Sequence, residues 1–305
     1  MASGFRFFVG PSRQYGAFRW RLDEDAHKTA MRDLTWDFAE PDQYPELVAR
    51  QKPGFMASKG EKAFHDAVST ADPDEMLRVA GQNPKYIAAA NVISGLLTLE
   101  MSLHRGMELL QTALGAGDIG KDHFVHKYLP EAGLSVVIAE GLMVRLPLQR
   151  NAIVLLLAEL FQAEGRAGEA LALLDGAEPT THILLSKTEL LYQDGRYDDV
   201  VAATEGVVND DDFTALRLAY RGRALAELGR ADEAVSVFAR VLEYPNRAPS
   251  VKVLALVGRG MINQARGELI LAENDFTRAL IEIPDDAEAR RHVEALMRHQ
   301  GEQGG

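Results

Sequence analysis

Between residues 151 and 284, apolar positions recur at three- and four-residue intervals in blocks that a glycine interrupts. Leu216, Leu218, Ala219, Gly222, Leu225 and Leu228 form one block, and Ala234, Val235, Phe238, Val241 and Leu242 follow beyond Gly229. This spacing puts the apolar side chains on one stripe of a helix, and glycine ends a helix at little conformational cost. The predicted unit is helix, tight turn, helix. A recurring phrase marks the turns: Gly165-Arg166-Ala167-Gly168-Glu169-Ala170, Gly195-Arg196-Tyr197-Asp198-Asp199-Val200 and Gly229-Arg230-Ala231-Asp232-Glu233-Ala234. The acids after each glycine suit the positive start of the next helix. A fourth turn glycine, Gly267, precedes Ala272, and the steps 165 to 195 to 229 to 267 are 30, 34 and 38 residues, a period centred on 34.

Upstream the period fades. Residues 87–100 and 105–114 read as another helix pair, with Gly106, Leu110 and Ala113 suitably placed, and 61–69 with 74–80 as a shorter, degenerate pair ending at Pro84. A first helix is expected over 24–38, through Ala30, Met31, Leu34, Trp36 and Phe38, and a charged last helix over 286–297 before a disordered tail from Gly301. Two stretches read otherwise. Residues 134–148 are rich in Val, Leu and Ile around Glu140-Gly141 and predict a β-hairpin. Residues 4–22 predict two short strands about Gly10-Pro11. The expected layout is an arm at 1–22, a helical region with degenerate pairs at 23–118, a helix plus hairpin insertion at 119–150, four repeats at 151–284, and a capping helix and tail at 285–305.

Small and large residues recur in register. Gly260 lies seven residues before the last turn, Ala272 and Ala279 lie five and twelve after it, Leu256 and Phe276 are the large partners, and Pro284 closes the unit. Gly222, Ala234, Leu218 and Phe238 hold the same places one unit earlier. Small side chains let antiparallel helices approach closely, and large ones fill the gaps between pairs. These residues resemble the tetratricopeptide repeat family, best over 253–284, well over 215–245, and more loosely over 151–179 and 181–212. The 181–212 unit departs from the pattern with Thr188 and Val200 at small positions and Thr204 at a large one.

The resemblance implies an all-α fold, a right-handed superhelical array of antiparallel helix pairs whose first helices line an inner groove. By register that groove is lined by Leu155, Glu159 and Gln162, then His182, Leu185, Glu189 and Tyr192, then Leu216, Ala219, Arg223 and Glu227, and finally Leu254, Val257, Met261 and Gln264. Relatives that clamp a C-terminal carboxylate use Lys, Arg and Asn there. Leu155, Glu159, Leu185 and Glu189 stand in their place, so no such capture is expected. The lining suits an apolar or basic-amphipathic protein segment.

Charge narrows the partner class. A formal net charge of −12 argues against whole-surface attraction to nucleic acid or anionic lipid, yet residues 1–22 carry Arg6, Arg13, Arg19 and Arg21 and no acid. With Phe8, Tyr15 and Trp20 these arginines form a candidate contact arm that packs internally, meets a protein, or stacks on nucleic acid; the weak net electrostatics puts nucleic acid last. With no cysteine there is no disulfide, thiolate metal site or cysteine nucleophile, which fits the cytoplasm. The longest wholly apolar run, residues 152–158, is far short of a membrane span.

No chemistry-bearing motif stands out. The glycines of Gly115-Ala116-Gly117-Asp118-Ile119-Gly120 match a dinucleotide-binding spacing, but that mechanism needs a strand before them, and a helix over 107–114 precedes instead. His123 and His126, with Asp122 adjacent, lack a further well-placed metal ligand. No phosphate-binding GxxxxGK[ST] loop and no GxSxG turn occurs. The sequence therefore reads as a non-catalytic scaffold without cofactor or metal. A regulatory or RNA-associated protein using the arm, and an enzyme with an unrecognised site in 23–150, stay open as alternatives.

Overall fold

The computed structural model describes residues 38–139 and 142–303, with side chains up to residue 298. The chain divides into two compact units between residues 178 and 179. Fifteen α-helices and one two-stranded sheet make up the described residues. The predicted arm, the N-terminal strands and the helix over 24–38 (but for its last residue) lie outside them, as do Glu140 and Gly141.

The first unit opens with α1 (Tyr44–Arg50), which the sequence did not announce. Pro45 sits in its first turn, where a missing N–H costs nothing, so proline starts this helix instead of breaking it. The degenerate pair is present as α2 (Lys59–Ser69) and α3 (Pro73–Gln82), each capped by a side chain: Ser58 accepts from the Glu61 N–H and Asp72 from the Glu75 N–H. The next pair, α4 (Ile87–Thr98) and α5 (Leu103–Ala116), approaches closely through glycine. A Cβ on Gly106 would lie 2.7 Å from Leu99, and one on Gly95 3.0 Å from Leu110.

Beyond α5 come α6 (His123–Tyr128) and the predicted hairpin, β1 (Gly133–Ala139) antiparallel to β2 (Leu142–Pro147) with Val136 opposite Val144. The first repeat, α7 (Arg150–Ala163) and α8 (Ala167–Asp175), closes the unit. An aromatic cluster binds α2 to α6: Phe64 stacks on Tyr86 at 4.7 Å and meets the edge of Phe124 at 4.6 Å. Beside it Glu61 accepts from Lys127 Nζ and the Tyr128 hydroxyl, each at 2.7 Å.

The second unit contains three repeats and a final helix. They are α9 (Thr181–Gln193) with α10 (Tyr197–Ala203), α11 (Asp212–Glu227) with α12 (Ala231–Val241), α13 (Pro249–Ala265) with α14 (Leu269–Glu282), and α15 (Ala287–Gln303). The last helix runs on to Gln303, past the disordered tail expected from Gly301, and packs against α14 through Ala289, Val293 and Leu296.

The recurring phrase has a physical basis. Gly165, Gly195, Gly229 and Gly267 all hold φ near +75°, a region that favours glycine over any residue with a Cβ. The arginine after three of them pairs with the acid three residues on: Arg166–Glu169 at 2.7 Å, Arg196–Asp199 at 2.6 Å and Arg230–Glu233 at 2.7 Å. Phe238 of α12 lies against Gly222 and Gly258, and Phe276 of α14 against Gly260, where a Cβ on Gly222 or Gly260 would meet the rings at 2.6 and 2.7 Å.

The irregular second repeat is completed by the repeat after it. Arg217 on α11 reaches Thr188 Oγ1 at 3.4 Å and the Ala203 carbonyl at 2.7 Å, and Arg221 reaches Thr204 Oγ1 at 3.2 Å. The threonines at the departing positions are thus buried with partners, and hydrogen bonding replaces apolar fit.

Candidate functional site

Register alone places the inner-groove residues on the first helices α7, α9, α11 and α13. In the first unit, α7 lies against β1 of the hairpin. Leu155 is buried, Glu159 and Gln162 are half-buried, and the Val137 N–H approaches Glu159 Oε2 at 3.4 Å. The chain's own hairpin therefore covers this end of the expected lining.

In the second unit the register splits into two sets. Leu185, Leu216, Ala219 and Val257 are buried within the helix packing and present no surface to a partner. Glu189 is buried as well. Its carboxylate accepts from the Tyr220 hydroxyl at 2.8 Å and from Gln193 Nε2 at 3.1 Å, so it is a cross-repeat bond acceptor and not a groove charge. His182, Tyr192, Arg223, Leu254 and Gln264 are half-buried, while Glu227 and Met261 are exposed.

The final helix covers the far end of the lining. Leu296 and Ala289 of α15 join Val257 and Phe276 in one apolar cluster, with Val293 packed against it. His292 stacks on Phe276 at 4.7 Å, and its Nδ1 lies 2.9 Å from Gln264 Oε1. Glu288 accepts from Arg223 at 2.7 Å. Burial alone would lower the Arg223 pKa, but the Glu288 carboxylate, with Tyr192 and Tyr220 nearby, overrides that and raises it.

The aromatic side of this wall exceeds what the sequence reading named. Tyr192 meets Tyr197 at 5.5 Å between centroids and Tyr220 at 5.7 Å. Tyr220, Glu288 and His292 were missed because each acts across repeats; Tyr197, which meets Tyr192 within its own repeat, had one signal, a bulky residue in a turn phrase that carries alanine elsewhere. A second overlooked feature lies in the first unit, where Phe55 and Met56 stand on the turn between α1 and α2 at 98% and 95% exposure.

The decoys resolve as local structure. Asp122 caps α6, accepting from the Phe124 and Val125 N–H groups, and burial pushes its pKa up. His123 and His126 point to solvent, and among the described residues no group of three potential ligands is placed to hold a metal. The glycines at 115–120 end α5 and lead into a single 3-10 turn. Among the described residues no helix is long and apolar enough to cross a membrane. Arg6, Phe8, Arg13, Tyr15, Arg19, Trp20 and Arg21 lie outside the described residues.

Two histidines make the second unit sensitive to acid. Burial holds His182 and His292 below the ordinary histidine value of 6.5, against opposing pulls from Asp211 and Glu288 respectively. The unfolded chain takes up protons that the folded one refuses, so their contribution is whole above about pH 6.5 and is lost as pH falls below it. Melting followed by circular dichroism at pH 7.5 and 5.5 is expected to show a smaller acid loss in His292→Gln than in the unmodified chain. Equal losses would remove His292 from this account.

Antiparallel helix pairs, left-handed glycine turns and a small-against-large register define a tetratricopeptide-type fold. No family model matches the sequence, and no curated protein matches it. Among solved structures, the N-terminal domain of the EccA1 ATPase from the ESX-1 secretion system of Mycobacterium tuberculosis is similar in fold, at TM-score 0.54 and 13% identity, over 83% of this chain and 89% of that one. The TPR domain of P58(IPK) aligns over 95% of this chain and 80% of its own at 13% identity, with a TM-score of 0.34 that carries no argument.

Proposed function

We propose that the chain is a non-catalytic scaffold, working in the cytoplasm, that holds a segment of another protein against the first helices of its second unit. One observation supports this above the rest. After packing has claimed Leu185, Leu216 and Val257, the same helices still present His182, Tyr192, Glu227, Leu254 and Met261. A rigid wall of apolar and aromatic groups edged by carboxylate receives a basic-amphipathic segment with little ordering of its own. Within the second unit, the helix α15 over α13 shortens the available wall from the length that register implies.

Affinity capture with the full chain tests the reading. Met261→Glu and Glu227→Lys are expected to lose, at constant salt, the same protein that the unmodified chain retains. Full retention by both variants would count against this wall.

A further inference from the structure

The geometry points to Tyr192, Tyr197 and Glu227 as the seat for a cationic side chain, arginine foremost, carried by the partner segment. This rests on the wall proposed above and names the chemistry its aromatic end selects. Tyr192, on the last turn of α9, is half-buried, and its ring sits between Tyr197 at 5.5 Å and Tyr220 at 5.7 Å. Tyr220 is itself fixed, because its hydroxyl donates to Glu189. The three rings form a rigid platform whose outer members, Tyr192 and Tyr197, remain partly open to solvent.

The electrostatics around the platform are lopsided. Of the charges that bear on Tyr192, Glu227 and Glu288 are negative and Arg223 is positive, and Glu189 lies three residues before Tyr192 on α9. Glu189 is engaged by Tyr220, and Glu288 neutralises Arg223 at 2.7 Å. Glu227 has no hydrogen bond or ion pair among the described residues and is exposed. It is also the last residue of α11, where the carbonyl end of the helix already carries partial negative charge and an acid is disfavoured. The carbonyl end of α9 closes one residue after Tyr192.

The unpaired carboxylate of Glu227 thus stands beside two tyrosines. Burial, followed by the charge of Glu227, raises the Tyr197 pKa and keeps its phenol neutral; burial likewise raises that of Tyr192. A neutral ring offers its negative face to a cation, and a planar guanidinium can lie on that face while its edge N–H groups donate to a carboxylate. A lysine would satisfy the charge without the stacking.

The probe is a short synthetic amphipathic helix with arginines along its polar edge, tested at several registers, beside the same peptides with each arginine replaced by neutral citrulline. Binding to the full chain is read by fluorescence anisotropy, with circular dichroism confirming that each variant is folded. The expected result is that the arginine peptide binds the unmodified chain and loses about tenfold in affinity on Tyr197→Ala or Glu227→Gln, a size set by one cation–ring contact and one charge pair. Citrulline, which removes the charge from both contacts, is expected to cause at least that loss, and adding Glu227→Gln to it no further loss. If the arginine and citrulline peptides bind equally and neither variant matters, this seat is overturned while the wall stands. If no peptide binds at any register, the wall itself falls, and the seat with it.

Discussion

Replacing Phe238 by alanine is expected to remove about 4 kcal/mol of stability, the range typical of emptying a fully buried aromatic site. Phe238 has no exposed surface, and its ring lies against both Gly222 of its own repeat and Gly258 of the next. Those glycines exist so that the ring can approach two backbones at once. The space it leaves is walled by helices that cannot collapse into it without breaking register on both sides. Urea unfolding monitored by helix signal should show the loss as an earlier transition. A shift below about 1 kcal/mol would mean that the two repeats are not coupled through this ring, well under the usual Phe-to-Ala cost.

Asp275→Ala is expected to follow, at roughly 3 kcal/mol, the low end for breaking a buried pair from one side. Asp275 is buried on α14, and its two oxygens receive Arg259 Nε at 2.9 Å and Arg259 Nη2 at 2.6 Å, with Asn263 Nδ2 at 3.2 Å. Removing the carboxylate strands a largely buried guanidinium on α13. The pair Arg259→Met with Asp275→Leu is expected to regain most of the loss, because neither charge is then left alone. A double variant no more stable than Asp275→Ala would refute this account and leave shape, not charge, as the reason for the pair.

Much of this architecture was legible because its geometry is written in small residues. The positive φ at Gly229 and Gly267 and the ring-to-glycine contacts at Gly222 and Gly260 are local demands, and they recur at a readable period. The pair α4 and α5 could be found upstream for the same reason, through Gly106. The helix α1 went unread because its seven residues are too short to show a clear apolar period, although Pro45 opens it.

The candidate wall was less legible. Register says which side of a helix a residue occupies, but not what else in the chain lies on that side. Glu189 looked like a surface acid until Tyr220, thirty-one residues later, was seen to bond to it. Gln264 looked free until His292 met it from twenty-eight residues away. Both contacts depend on how neighbouring repeats stack, and periodicity within one repeat cannot supply that.

The placement of α15 has a consequence for how tightly anything can hold the last repeat. A visiting segment that aims for Val257 and Gln264 must displace a helix joined to α14 by a few residues. A tethered rival keeps the same local concentration however dilute the protein becomes, so its advantage is not lost at low abundance. Under the proposed reading, visitors are steered toward the tyrosine end, and only one able to outcompete the resident helix reaches the other.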